Sequence, residues 1–87
     1  MNHVRMTYTE RLLAIVQVYC AATGMTREQV SYQVFRDQRR LGRMAEGEAS
    51  ITVRSFDSAL IWLSANWPAT EQWPDYLHRP VDVEVAQ

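Results

Sequence analysis

An all-α fold of four to five short helices followed by an extended C-terminal tail is what this sequence predicts, and three observations predict it. Apolar residues recur at three- and four-residue steps along two long stretches, the period of a helix buried on one side. Thr7–Glu10 and Thr26–Gln29 both fit the capping box, a pattern that marks a helix start. Gly24 and Gly47 stand where helices would end. Strict alternation, the strand pattern, occurs near the C-terminus in Val81-Asp82-Val83-Glu84-Val85. Five residues make no stable strand alone, so this stretch is either a frayed acidic terminus or a strand that pairs with one from a partner.

In chain order, residues 1–6 show no periodicity and read as a loose arm. The first helix opens at Thr7 and carries Leu12, Ile15, Val16, Tyr19 and Cys20 on one face, widened by Leu13 and Val18. Thr23-Gly24 ends it. Thr26 opens a second helix with Val30 and Val34 facing inward and the small Ser31 beside Val30. Asp37 is the expected N-cap of a third helix, residues 38–46, seated by Leu41 and Met44 and ended by Gly47. Thr52 caps a fourth helix with a seam of Val53, Phe56, Leu60, Leu63 and Trp67, which Pro68 stops. Residues 1–67 thus form a helical domain. Residues 68–87 form an acidic tail whose Trp73, Tyr76 and Leu77 are expected to pack on that domain or on a partner, since together they would otherwise make a sticky patch.

At 87 residues the chain has room for one small core, and its single cysteine excludes an internal disulfide. A homodimer interface would supply further buried surface. There is no run of the ~18 apolar residues that cross a bilayer, nor a signal-peptide core, so a cytoplasmic protein without a membrane partner is expected. The net charge of −1 conceals a segregation: residues 25–54 hold six arginines against four acids, a net of +2, whereas residues 68–87 hold four acids against Arg79, a net of −3. All nine basic residues are arginine. Arginine makes bidentate contacts with phosphate, carboxylate and guanine, although a genome rich in G and C enriches it equally well.

Arg36, Arg39, Arg40 and Arg43 follow i, i+3, i+4, i+7 spacing, which on a continuous helix makes one basic face opposite Leu41 and Met44. Thr26, Ser31, Asp37, Leu41, Met44, Gly47 and Thr52-Val53 together resemble, without gaps, the lambda-repressor-like helix-turn-helix family over roughly residues 8–67. The resemblance implies a recognition helix whose Gln38, Arg39 and Arg43 point at base edges, with Arg40 nearer the backbone. The family's corner glycine is replaced by Phe35, which implies a corner re-shaped with Phe35 turned into the core.

Two functions follow as expectations. The first is a small transcriptional regulator that binds double-stranded DNA through the third helix. The second is a helix-turn-helix protein-interaction module, an antiactivator that binds and inhibits another transcription regulator. The acidic isoelectric point, near 6.1, and the aromatic acidic tail favour the second. An enzyme is not expected, because there is no phosphate-binding glycine loop and His3 and His78 lie at opposite ends of the chain. No cofactor, metal or small-molecule substrate is expected either.

Overall fold

Reciprocal capping boxes start the first two helices. In the computed structural model, which describes residues 6–80, Thr7 Oγ1 accepts from the Glu10 amide at 3.0 Å while Glu10 Oε1 accepts from the Thr7 amide at 2.9 Å. Thr26 and Gln29 repeat the exchange at 3.1 and 2.8 Å. Each pair satisfies amides that a helix start leaves without partners. The resulting elements are α1 (Tyr8–Thr23), α2 (Arg27–Phe35), α3 (Arg40–Ala45) and α4 (Val53–Ala65), and there is no strand among the described residues. The Val81–Val85 alternation and residues 1–5 lie outside them.

The arrangement is all-α, with α1 as the common support: it packs against α2, α3 and α4, while α2 also packs against α3 and α4. Leu12, Ile15, Val16 and Tyr19 of α1 meet Val30 of α2, Leu41 and Met44 of α3, and Phe56, Ala59, Leu60 and Leu63 of α4 in one core. Cys20 and Val34 stand half-buried at its edge. Burial pushes the Cys20 thiol pKa up, against a smaller lowering by Arg27, so the group behaves as a protonated filler of the core margin.

Val53 departs from the expected seam. It is the first residue of α4, directly after the Thr52 cap, and is 54% exposed because the packed part of that helix begins one turn later at Phe56. Trp67 does join the core, but from beyond the end of α4.

The tail folds back. Leu77 is buried, and Trp73 packs edge-on against Trp67 with ring centroids 4.9 Å apart. Each indole N–H finds a backbone acceptor within the tail: Trp67 Nε1 donates to Glu71 O at 2.7 Å, and Trp73 Nε1 donates to Leu77 O at 2.9 Å. Arg79 stacks on Trp73 and donates to both Oγ and O of Ser64 at 2.9 Å, which ties the tail to the last turn of α4. Of the three tail residues expected at an interface, Trp73 and Leu77 are therefore engaged inside the chain and only Tyr76 is exposed.

Candidate interaction surface

The α2–α3 corner is built around one buried hydroxyl. Ser31 is fully buried; its Oγ donates to Asp37 O at 2.6 Å and accepts from the Leu41 amide at 3.1 Å. A single side chain on α2 thus holds both the turn and the first part of α3. No apolar residue could satisfy both groups. Among the described residues no buried side-chain polar atom is left without a partner.

The chain reverses between the two helices through Arg36, which takes left-handed backbone (φ 59, ψ 28) and whose N–H donates to Tyr32 O at 2.8 Å. It is the sole non-glycine residue with positive φ among those described. Phe35 remains helical and half-buried against the core, so the left-handed position falls one residue beyond the place where the family resemblance set it.

The third helix is shorter than the expected 38–46: Gln38, Arg39 and Glu46 fall outside α3, and its N-cap is Arg39, without a side-chain cap bond, not Asp37. Asp37 O accepts from the Arg40 amide at 3.2 Å and Asp37 Oδ1 from the Arg39 amide at 3.0 Å, so the aspartate caps a tight turn that precedes the helix. α3 itself has six residues. Its end is a full glycine cap: Glu48 N donates to Arg43 O at 2.8 Å, Gly47 N to Met44 O at 3.1 Å, and Gly47 has φ 78.

These bounds dissolve the four-arginine face. Arg36 belongs to the end of α2 and lies over the Tyr32 ring at 5.4 Å. Arg40 lies over Phe35 at 4.9 Å, and Arg43 Nη2 pairs with Asp37 Oδ2 at 3.0 Å, the one ion pair among the described residues. That pairing and, above all, the Arg39 backbone N–H hold the Asp37 carboxyl below its ordinary pKa. Gln38 and Arg39 are the exposed pair at the start of the helix.

Gln38, Arg39 and Arg43 instead line one side of an open cleft of about 570 Å³ between α2 and α3. Arg27 and Glu28 from the start of α2 and Glu46 and Glu48 from the end of α3 and beyond also line it, so its lining holds three arginines and three glutamates. Gly42 also lines it. A Cβ placed on Gly42 would meet only Arg27 Nη2 at 3.5 Å, an ordinary contact. Internal packing therefore does not require glycine there, although glycine in a helix costs about 0.5–1 kcal/mol relative to alanine.

Of the residues that line this cleft, the sequence singles out Gln38, Arg39 and Arg43, reads Glu46 and Glu48 as solvated acids, and does not point to Arg27 and Glu28. The available signal was the interleaving of charge signs along residues 27–48, which a search for same-sign periodicity passes over. No protein-family model, curated protein or solved structure matches this chain. Among the described residues, no group of three or more His, Cys, Asp or Glu could hold a metal ion, and no helix is long and apolar enough to cross a membrane.

Proposed function

We propose that this chain is a helix-turn-helix-type protein-interaction module that binds another transcription regulator through its α2–α3 cleft and holds it inactive. The balanced charge of that cleft carries the reading. Three arginines against three glutamates suit a partner that offers both signs, as a protein surface does, and leave no net attraction for a phosphate backbone. The rest of the body adds none, since residues 6–80 hold eight arginines and eight acids.

A photo-crosslinker placed at Gln38 in the native cell tests this. The expected product joins the chain to one transcription regulator, and Arg39→Glu abolishes it while the helices remain folded. Deleting the chain from that cell should raise the regulator's output. A crosslink to no regulator, or an unchanged output, rejects the reading.

DNA binding is the second reading, supported by the exposed Gln38-Arg39 pair on a corner pinned by Ser31. Glutamine suits adenine and arginine suits guanine. In that case Arg39→Ala should flatten the plot of log affinity against log salt by about one unit. A titration with genomic fragments that shows no salt-dependent binding at low salt removes it.

A further inference from the structure

Five large apolar residues are exposed among those described: Tyr8, Tyr32, Val53, Ile61 and Tyr76. Four of them gather away from the α2–α3 cleft. Ile61 and Tyr76 line a second cleft, of about 380 Å³, between α4 and the tail, whose floor includes Phe56 and Leu60. Tyr8 stacks on that same Phe56 with ring centroids 4.8 Å apart. Val53, Asp57 and Ile61 follow one another at four-residue intervals on the outer side of α4, so Val53 continues the stripe one turn past Asp57. Single exposed apolar residues need no account, whereas a contiguous patch marks an interaction surface.

The charges of this patch indicate its occupant. Arg11 and Asp57 both line the cleft, and neither forms an ion pair among the described residues. One cation and one anion set among the apolar residues of this face make a surface that can complement itself. A two-fold axis through this face lets Arg11 of each copy meet Asp57 of the other, the reciprocal pairing an isologous interface uses. We propose that this face of α4, with Tyr8 and Tyr76 at its sides, is the homodimer interface of the chain. It shares no lining residue with the α2–α3 cleft, so two copies joined here leave both clefts lined as before.

Sedimentation of the full chain across low-micromolar to sub-millimolar concentrations tests the proposal, with far-ultraviolet circular dichroism as the control for folding. The expected wild-type species is a concentration-dependent dimer. Ile61→Arg should raise its dissociation constant about ten- to a hundredfold, the range set by loss of one buried aliphatic side chain. Arg11→Glu should also weaken it, and Arg11→Glu combined with Asp57→Arg should restore dimerisation to within a few-fold of wild type. That restoration is a result that mere loss of folding cannot produce. A dimer indifferent to Ile61→Arg and to the charge exchange overturns the proposal. So does a chain that stays monomeric at every concentration, whether its cleft then receives residues 81–87 or a different protein.

Discussion

The α2–α3 corner and the tail that folds back on the end of α4 solve the same problem, holding a short irregular segment in place, with a different mix of contacts. The corner uses polar groups close in sequence: one serine hydroxyl spans 6 and 10 residues to Asp37 and Leu41, and one aspartate caps the turn between them. The tail adds aromatic area to its hydrogen bonds: Trp73 packs on Trp67, both indole N–H groups donate to tail carbonyls, and Arg79 reaches 15 residues back to Ser64. Directional bonds fix an angle and a register. Stacked rings fix proximity and tolerate sliding.

The largest expected effect sharpens what the two regions share. Leu41 is fully buried where α3 meets the core, so Leu41→Ala should cost about 2–5 kcal/mol in denaturant unfolding. Ser31→Ala comes next. It strands a buried amide and carbonyl, should cost about 1–3 kcal/mol, and should speed hydrogen exchange at the Leu41 amide ahead of amides in α1. If the Leu41 amide exchanges no faster than in the wild type, the corner is not held by the serine.

In the tail, Trp73→Phe keeps a ring against Trp67 but removes the bond to Leu77 O, a loss of about 0.5–1.5 kcal/mol. Its effect should stay local to residues 67–80. An equal disturbance of corner amides would show the two regions to be one cooperative unit.

Gly42→Ala runs in the other direction. It should raise stability by about 0.5–1 kcal/mol, because α3 gains helix propensity and the new methyl group meets only Arg27. In the proposed complex the same methyl group stands in the cleft, so partner binding should fall as the melting temperature rises. Binding unchanged in the stabilised variant would place the partner elsewhere.

The smallest effect is one of pH. Because the Asp37 pKa is lowered in the folded chain, its contribution is present above the ordinary carboxylate pKa and is lost as pH falls through the lowered value. The stability difference between wild type and Asp37→Asn should therefore close under acid conditions. A difference that persists there would assign the effect of Asp37 to shape and not to charge.

Much of the fold was legible because its signals are local. Thr7, Thr26 and Thr52 each cap a helix through an amide three residues on, and Gly24 and Gly47 take the left-handed backbone expected of helix ends. The seams also read correctly where helices are long, as with Leu12, Ile15, Val16 and Tyr19. Legibility failed at element edges. Val53 matched the period of α4 yet lies outside its packed length, and Arg36 matched the period of α3 yet belongs to α2. Periodicity assigns a face only while the helix is continuous, and the Asp37 turn interrupts it.

By itself the sequence determined an all-α fold, the threonine caps of α1, α2 and α4, the glycine ends of α1 and α3, and most of the core, because capping bonds and apolar period act over three or four residues. Tertiary structure decided what each arginine does. Arg43 turns to Asp37, Arg40 to Phe35, Arg79 to Ser64 and Trp73, and Arg27 from α2 faces Gly42 of α3. A guanidinium on a flexible stem takes whichever carboxylate, ring or carbonyl the packed helices bring within reach, and that choice exists only once they are packed.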